Sequence, residues 1–286
     1  MPATILSGKE IAATIKNRVT EHLHAFKEQG ITPNIAAIQV GDNPSSSIYL
    51  KAQRNHCLSV GISHQLQQIP ADVSTETLAA LIQRLNENPA IQGIILQMPL
   101  PAHLDASLFQ SMISPVKDIE GVNPENIGKI IYGKARLAPC TALAATRLIE
   151  ETGIDPYGKE MVIVGHSEIV GKPLALLWLN KFATLSVCHI ATSQSGHLQS
   201  HVERAEILVV AVGKAHLIPG SWIREGAIVI DVGINRVHGT IIGDVEYETA
   251  KERASWITPV PGGVGPVTTA MLLHNIIEAT KWQMSL

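Results

Sequence analysis

Charge is scarce in this chain and does not cluster. Charged residues make up 16% of the 286, the formal net charge is −3, and no Lys/Arg run exceeds two residues. Without a basic stripe there is no electrostatic footprint for nucleic acid or an anionic membrane surface, so neither is expected as a partner. Cysteine is nearly absent: Cys57, Cys140 and Cys188 are an odd number at wide spacing. They fit neither a disulfide framework nor a zinc cluster, so no metal is expected and a reducing cytosol is the expected setting. No apolar run reaches the ~20 residues of a bilayer span, and no basic-then-apolar leader precedes SGKEIAATIK. A cytoplasmic protein is the expectation.

What is present is apolar bulk, 45% of the residues, enough for a large core. The length allows two domains at the usual ~100–200 residues each. Helical and strand-like patterns alternate, which predicts an α/β fold with mainly parallel sheets. Helix-like 8–29 is followed by the strand NIAAIQV (34–40), a capped helix from 45, a short segment at 64–70, helix-like 74–88, and the strand QGIILQM (92–98). Residues 114–141 are rich in turn formers and read as a loop-rich passage between domains. A helix over 142–151 leads to strands at 161–165, 184–190, 206–212 and 227–233, and the tail from Val267 is helical.

Two stretches carry candidate chemistry. In SSSIYLKAQRNHC (45–57), Tyr49 and Gln53 are four apart and share a helix face, whereas Lys51 points away. In MVIVGHSEIVGKPLALLWL (161–179), a buried strand runs through a glycine turn into an apolar helix. Such a turn lets backbone N–H groups and a helix N-terminus face a phosphate. It departs from G-x-G-x-x-G, because Ser167 holds the second glycine position and Gly171 comes one residue late. The end of the next strand, where an acid binds ribose hydroxyls or a basic group favours a 2′-phosphate, reads Cys188-His189-Ile190-Ala191-Thr192-Ser193. Neither an acid nor an arginine is there, so the turn predicts a dinucleotide without saying which.

Other groups have plainer readings. His197 and His201 are four apart and could present two metal ligands, but no third is near, and they read as surface histidines. Asp118 and Glu120 could form a paired-carboxylate site; substrate gripping and turn capping suit them better. Cys140 has no dedicated base and reads as packed, and Asp231 at a strand end reads as structural.

Taken together, VGDNPSSSIYL (40–50), GIILQMPLP (93–101), PVKDIEGVNPENIGK (115–129), PCTA (139–142), VIVGHSEIVGKP (162–173), VVAVGKAHLIPGSWIREGAIVIDVGIN (209–235) and ITPVPGGVGPVTTAML (257–272) resemble the bifunctional methylenetetrahydrofolate dehydrogenase/cyclohydrolase family. The stretches follow the family's order and cover nearly the whole chain. The resemblance implies two α/β domains around a cleft, the second a Rossmann-type dinucleotide-binding domain, in a homodimer. It divides the chain into a folate-binding catalytic domain, 1–138, joined by the C-terminal helix 267–286, and an NAD(P)-binding domain, 139–266. It also implies oxidation of 5,10-methylenetetrahydrofolate by NADP, with NAD as the other acceptor to consider, then hydrolysis of the methenyl product to 10-formyltetrahydrofolate.

By the same resemblance, Tyr49 covers the pterin, Gln97 helps hold a catalytic lysine, and Glu120 stands where the family has an aspartate gripping the pterin. Tyr49, Gln53, Gln97 and Glu120 are thus the implied catalytic set. Leu96, Met98, the loop Pro261-Gly262-Gly263-Val264-Gly265-Pro266 and Thr268 complete the implied contacts with tetrahydrofolate derivatives. Gly165, His166, Ser167, Gly171, Ile190, Val212, Gly213 and Ile234 fall on cofactor positions.

Three departures matter. The family's Tyr-x-x-x-Lys lysine is Gln53 here, and an amide can hydrogen-bond but cannot carry a proton. Weak or absent hydrolysis is therefore expected, with the dehydrogenase retained. His166 replaces a turn arginine and Ile190 a serine or arginine, in a loop (190–197) longer than the family's, which puts NADP preference in question; Lys172 and Ser193 are the nearby groups that could compensate. A catalytically silent folate-binding or regulatory paralogue is the alternative, which hydride-transfer assays would separate. A Rossmann dehydrogenase of another substrate class would have no reason to keep GIILQMPLP and PVPGGVGP.

Overall fold

The computed structural model describes residues 2–285, apart from the side chains of residues 44–49. The strands in chain order are β1 (Thr4–Ile5), β2 (Asn34–Val40), β3 (Ser63–Ile69), β4 (Gly93–Leu96), β5 (Glu160–Val164) and β6 (Thr184–Cys188). They continue with β7 (Ile207–Val210), β8 (Ile228–Asp231), β9 (Asn235–Val237), β10 (Thr240–Ile242) and β11 (Trp256–Ile257). The chain forms two compact α/β units. No helix among the described residues is long and apolar enough to cross a membrane.

One unit comprises Thr14–Lys129, Lys134–Ala138 and the chain from Leu272 onward. Its parallel sheet has the order β3-β2-β4. β2 is central and buried from Ile35 to Val40, as a continuous apolar run in a covered parallel sheet should be. β3, at the edge, alternates between exposed and half-buried residues. Helix Thr75–Glu87 packs onto this sheet through Leu78, Leu81, Ile82 and Leu85, the i, i+3, i+4, i+7 stripe of an amphipathic helix. It starts at Ser74, whose Oγ accepts from the Thr77 N–H at 3.2 Å. At its other end the buried Lys117 ammonium donates to the carbonyls of Leu85 (3.1 Å) and Asn88 (2.7 Å), satisfying acceptors at the negative end of the helix.

The other unit comprises Pro139–Met271 with Ile130–Gly133 and the chain start up to Ala13. Its six strands are all parallel, in the order β1-β11-β8-β7-β5-β6. The chain leaves β5 for β6 on one side and then crosses to β7 on the other, so the connection reverses direction around β5. In open α/β sheets that reversal opens a crevice beyond the carboxyl ends of the strands. Val162, Val164, Leu208, Val210, Val229 and Ile257 form much of the core beneath.

The structure departs from the sequence reading in three places. Residues 2–13, expected with the first domain, group with the six-stranded unit because β1 pairs with β11. The tail helix begins at Val264; its residues up to Met271 group with the six-stranded unit and those from Leu272 with the three-stranded one. The passage at 114–141 contains a helix, Pro124–Ile131. Asn123 starts it by accepting from the Glu125 N–H at 2.7 Å, Pro124 supplies a preset first position, and Ile130 is buried.

Candidate functional site

In the three-stranded unit, the turn after β4 and the segment Lys117–Asn123 carry the acidic groups. Asp118 is buried, and its carboxylate accepts from the backbone N–H groups of Gly121 (3.1 Å), Val122 (3.2 Å) and Asn123 (2.8 Å) and from Asn126 Nδ2 (2.9 Å). Burial raises its pKa, and these hydrogen bonds oppose the rise. Asp118 therefore folds the turn and is spent on it.

Glu120, two residues on, is half-buried. Burial first, and the neighbouring Asp118 charge second, push its carboxyl up to about 8, against a hydrogen bond from the Leu96 backbone. At neutral pH Glu120 holds its proton and can donate a hydrogen bond. The Leu96 contact ties it to the end of β4, where Leu96 is buried, Gln97 is half-buried and Met98 is exposed. Gln97 is fixed through its backbone N–H to the Ile38 carbonyl at 2.9 Å, and its Nε2 donates to the Met98 carbonyl at 3.2 Å. From the tail helix, Asn275 Nδ2 donates to the carbonyls of Ile119 (2.9 Å) and Ala138 (3.0 Å), holding the residue next to Glu120.

Gln53 lies in helix Pro44–Val60 and is half-buried. Its Oε1 is enclosed without a hydrogen-bond partner among the described residues. A buried acceptor left open among the described residues has room for a further donor, such as a water or a ligand group. Tyr49 belongs to the same helix, but its side chain lies outside those described.

In the six-stranded unit, the parallel ladder brings five chain segments to one sheet edge: 165–167 after β5, 189–190 after β6, 211–213 after β7, 232–234 after β8 and 258–262 after β11. Gly165 has φ +122°, and a Cβ there would stand 2.3 Å from the Ala211 carbonyl oxygen. A Cβ on Gly171, the first residue of helix Gly171–Leu179, would stand 2.0 Å from the Gly165 carbonyl oxygen. Two glycines thus let strand, turn and helix close on one another. Ser167 Oγ accepts from the Val170 N–H at 3.2 Å. Four apolar side chains stand unusually exposed along this edge: Ile169 (53%), Ile190 (69%), Val212 (47%) and Ile234 (62%). A row of backbone turns beside exposed apolar side chains fits a flat, phosphate-bearing dinucleotide.

Of the two aspartates holding this edge together, Asp244 escaped the sequence reading. Asp244, fully buried, accepts from the backbone N–H groups of Val212 (2.7 Å), Gly213 (2.9 Å) and Lys214 (2.8 Å), and from Asn235 Nδ2 (2.9 Å). Asp231, read as structural, accepts from the N–H groups of Gly233 (2.9 Å), Asp244 (3.1 Å) and Val245 (2.9 Å). Burial, aided by the nearby Asp244 charge, raises Asp231 to about 6. The two aspartates fix the Val212–Lys214 loop and the Gly233–Asn235 segment.

The expected folate contacts are divided between the units. Gln53, Leu96, Gln97, Met98 and Glu120 belong to one, and Pro261–Pro266 with Thr268 to the other. There Gly262 has φ +107° and its carbonyl accepts from the Gly8 N–H at 2.9 Å, Gly263 N–H donates to the Pro259 carbonyl at 2.8 Å, and Thr268 Oγ1 donates to the Val264 carbonyl at 3.2 Å. Ile190, expected in a long loop, opens the short helix Ile190–Gln194. His201 Nδ1 lies 2.7 Å from Arg204 Nη2. No group of three His, Cys, Asp or Glu is arranged to hold a metal ion among the described residues.

Comparison with known proteins covers both units. The family model described as "Tetrahydrofolate dehydrogenase/cyclohydrolase, catalytic domain" matches residues 6–120, and its "NAD(P)-binding domain" counterpart matches residues 139–284. The chain is 45% identical over 282 residues to a protein of Moorella thermoacetica named "Bifunctional protein FolD", covering 98% of this chain and 100% of that protein. A crystal structure of bifunctional FolD, methylenetetrahydrofolate dehydrogenase/cyclohydrolase, from Campylobacter jejuni superposes with a TM-score of 0.94 at 40% identity, covering 98% and 99% of the two chains. A Trypanosoma brucei methylenetetrahydrofolate dehydrogenase-cyclohydrolase, solved with NADP cofactor and an inhibitor, superposes with a TM-score of 0.93 at 35% identity, covering 100% of both.

Proposed function

The chain belongs to the tetrahydrofolate dehydrogenase/cyclohydrolase family, and we propose that it oxidises 5,10-methylenetetrahydrofolate to 5,10-methenyltetrahydrofolate with NADP, NAD being a second acceptor. The observation that carries the reading is the match of both family domains, in order, over chains of the same length. The dinucleotide supplies the hydride acceptor. When bound, its adenosine and phosphates would be held by Gly165, His166, Ser167, Gly171 and Ile190, and its other half by Val212, Gly213 and Ile234. The NADP in the Trypanosoma brucei structure supports that choice of cofactor.

Hydride leaves a carbon held between two nitrogens whose lone pairs stabilise the cation, so this step asks mainly for orientation. Tyr49, Gln97 and Glu120 provide it on the folate side. The protonated Glu120 donates a hydrogen bond to the pterin, and Gln53 Oε1 takes its missing donor from the substrate. Leu96 and Met98 complete the folate contacts of the three-stranded unit, and Pro261 to Pro266 with Thr268 are the folate contacts of the other unit. These assignments put the dinucleotide contacts within 139–266, and the folate contacts within 1–138 and the segment 261–268.

Hydrolysis to 10-formyltetrahydrofolate is the weaker activity. It needs a placed water and proton transfers. Gln53 carries no exchangeable charge at the position where the family has lysine. The protein acts in the cytoplasm in one-carbon metabolism, as a homodimer. Purified protein given methylenetetrahydrofolate with NADP or NAD should reduce the dinucleotide. Tight folate binding without any reduction would instead identify a silent paralogue.

A further inference from the structure

Beyond the carboxyl ends of β5 and β6, the imidazoles of His166 and His189 lie with ring centroids 5.2 Å apart, inclined at 55°. Both residues are exposed. In a doubly wound sheet, the end of the second strand is where the adenosine ribose is read. A carboxylate there binds a free 2′-hydroxyl, and a cation accommodates a 2′-phosphate. At the ends of β5 and β6 this chain has the two imidazoles and the apolar Ile190, and neither an acid nor an arginine at these positions.

Few other charges stand at this edge; one is Arg204, whose Nη2 donates to Ser186 Oγ of β6 at 2.9 Å and whose charge acts on Cys188. Glu168 of the glycine turn is paired with Lys172 of the following helix at 3.4 Å. Helix Ile190–Gln194 has no ionisable side chain, His197 precedes the next short helix, and Lys214 follows the β7 loop. Cys188, at the end of β6, is buried. No unpaired carboxylate on these elements competes for an imidazolium.

Imidazole differs from both usual readers, because it changes charge between about pH 5 and 8. Protonated, the two rings repel each other unless an anion lies against them, and they then offer it charge-assisted hydrogen bonds. Neutral, they can accept a ribose hydroxyl, less strongly than a carboxylate would but without the charge that repels a phosphate.

We propose that the His166–His189 pair reads the adenosine 2′ position, and that preference for the 2′-phosphorylated dinucleotide over the unphosphorylated one rises as pH falls. The proposal rests on the dinucleotide reading of this edge. It makes the acceptor chosen by the enzyme a function of pH rather than a fixed property of the pocket.

The test is calorimetric titration of the full chain with adenosine 2′,5′-bisphosphate and with adenosine 5′-monophosphate, at about pH 6 and about pH 8.5, on either side of the imidazole range. The affinity ratio of the two ligands should be roughly tenfold or more higher at the lower pH, the scale of one or two charged hydrogen bonds. In a His166→Gln/His189→Gln variant that difference should collapse to the small change caused by the phosphate's own ionisation. A His166→Arg variant, whose guanidinium stays charged, should keep a high ratio at both pH values. A ratio that does not change with pH, or that changes equally in the double variant, overturns the proposal. If neither nucleotide binds at either pH, the dinucleotide reading itself falls, and the proposal with it.

Discussion

Asp244 Oδ2 lies 2.9 Å from the backbone nitrogen of Gly213, in the middle of three successive N–H groups that the carboxylate accepts from. Gly213 has φ +74°, which lets the chain curl around the carboxylate. Asp244→Ala strips three N–H donors, on exposed residues, of their buried acceptor, at ~1–3 kcal/mol for each one left unsatisfied and less where water enters. The expected loss is about 3 kcal/mol in urea unfolding, with dinucleotide affinity weakened about tenfold. A loss below about 1 kcal/mol would show that other contacts hold the loop.

The glycine turn should be intolerant of a single methyl group. Gly165→Ala places a Cβ 2.3 Å from the Ala211 carbonyl oxygen at φ +122°, and Gly171→Ala places one 2.0 Å from the Gly165 carbonyl oxygen. Either change should cost roughly 2 kcal/mol or more and abolish detectable NADP binding, because strand and helix must separate. Gly196→Ala serves as the control: that glycine also has a positive φ, but no atom lies within 4 Å of its added Cβ. It should lose about 1 kcal/mol by strain alone and keep its cofactor.

Much of this architecture was legible in the sequence. β2 was readable because NIAAIQV is apolar nearly throughout, and helix Thr75–Glu87 because Ser74 and the 78/81/82/85 stripe agree. β1 and β11 are two residues each and carry no period to detect, so two of the sheet's six strands and the true place of the N-terminus stayed hidden. The β9–β10 hairpin turns at His238-Gly239, both with positive φ, a pairing less telling than Asn-Gly. The chemistry divides in the same way. The motif positions could be read one by one, whereas the grip of Asp244 on a loop 30 residues away depends on tertiary packing that no local spacing encodes.

Glu120 should make stability depend on pH in an identifiable direction. Its folded carboxyl titrates at about 8 against an ordinary value of 4.5, so between these the folded chain binds more protons than the unfolded one. Wild-type stability should therefore fall as pH rises through that window. Glu120→Gln, which cannot ionise, should match wild type near pH 4.5 and grow relatively more stable up to about pH 8, then level off. Parallel thermal melts across this range provide the check. A difference that stays constant with pH would mean Glu120 is ionised in the folded protein.

Gln53→Lys should restore the proton carrier that the second reaction needs. Hydrolysis of methenyltetrahydrofolate by the variant should rise about 100-fold or more over the parent, the lower end of a general acid–base contribution. The dehydrogenase rate should change far less. No gain would place the block at Glu120 or in the wider pocket.

The most direct measurement follows reduced dinucleotide and methenyltetrahydrofolate together, in one preparation of the purified chain given methylenetetrahydrofolate and NADP. The expected result is equal accumulation of the two, with the methenyl product disappearing little faster than in buffer alone. Dinucleotide that stays oxidised while folate binds would contradict the dehydrogenase assignment, and methenyl product consumed as fast as it forms would contradict the role given to Gln53.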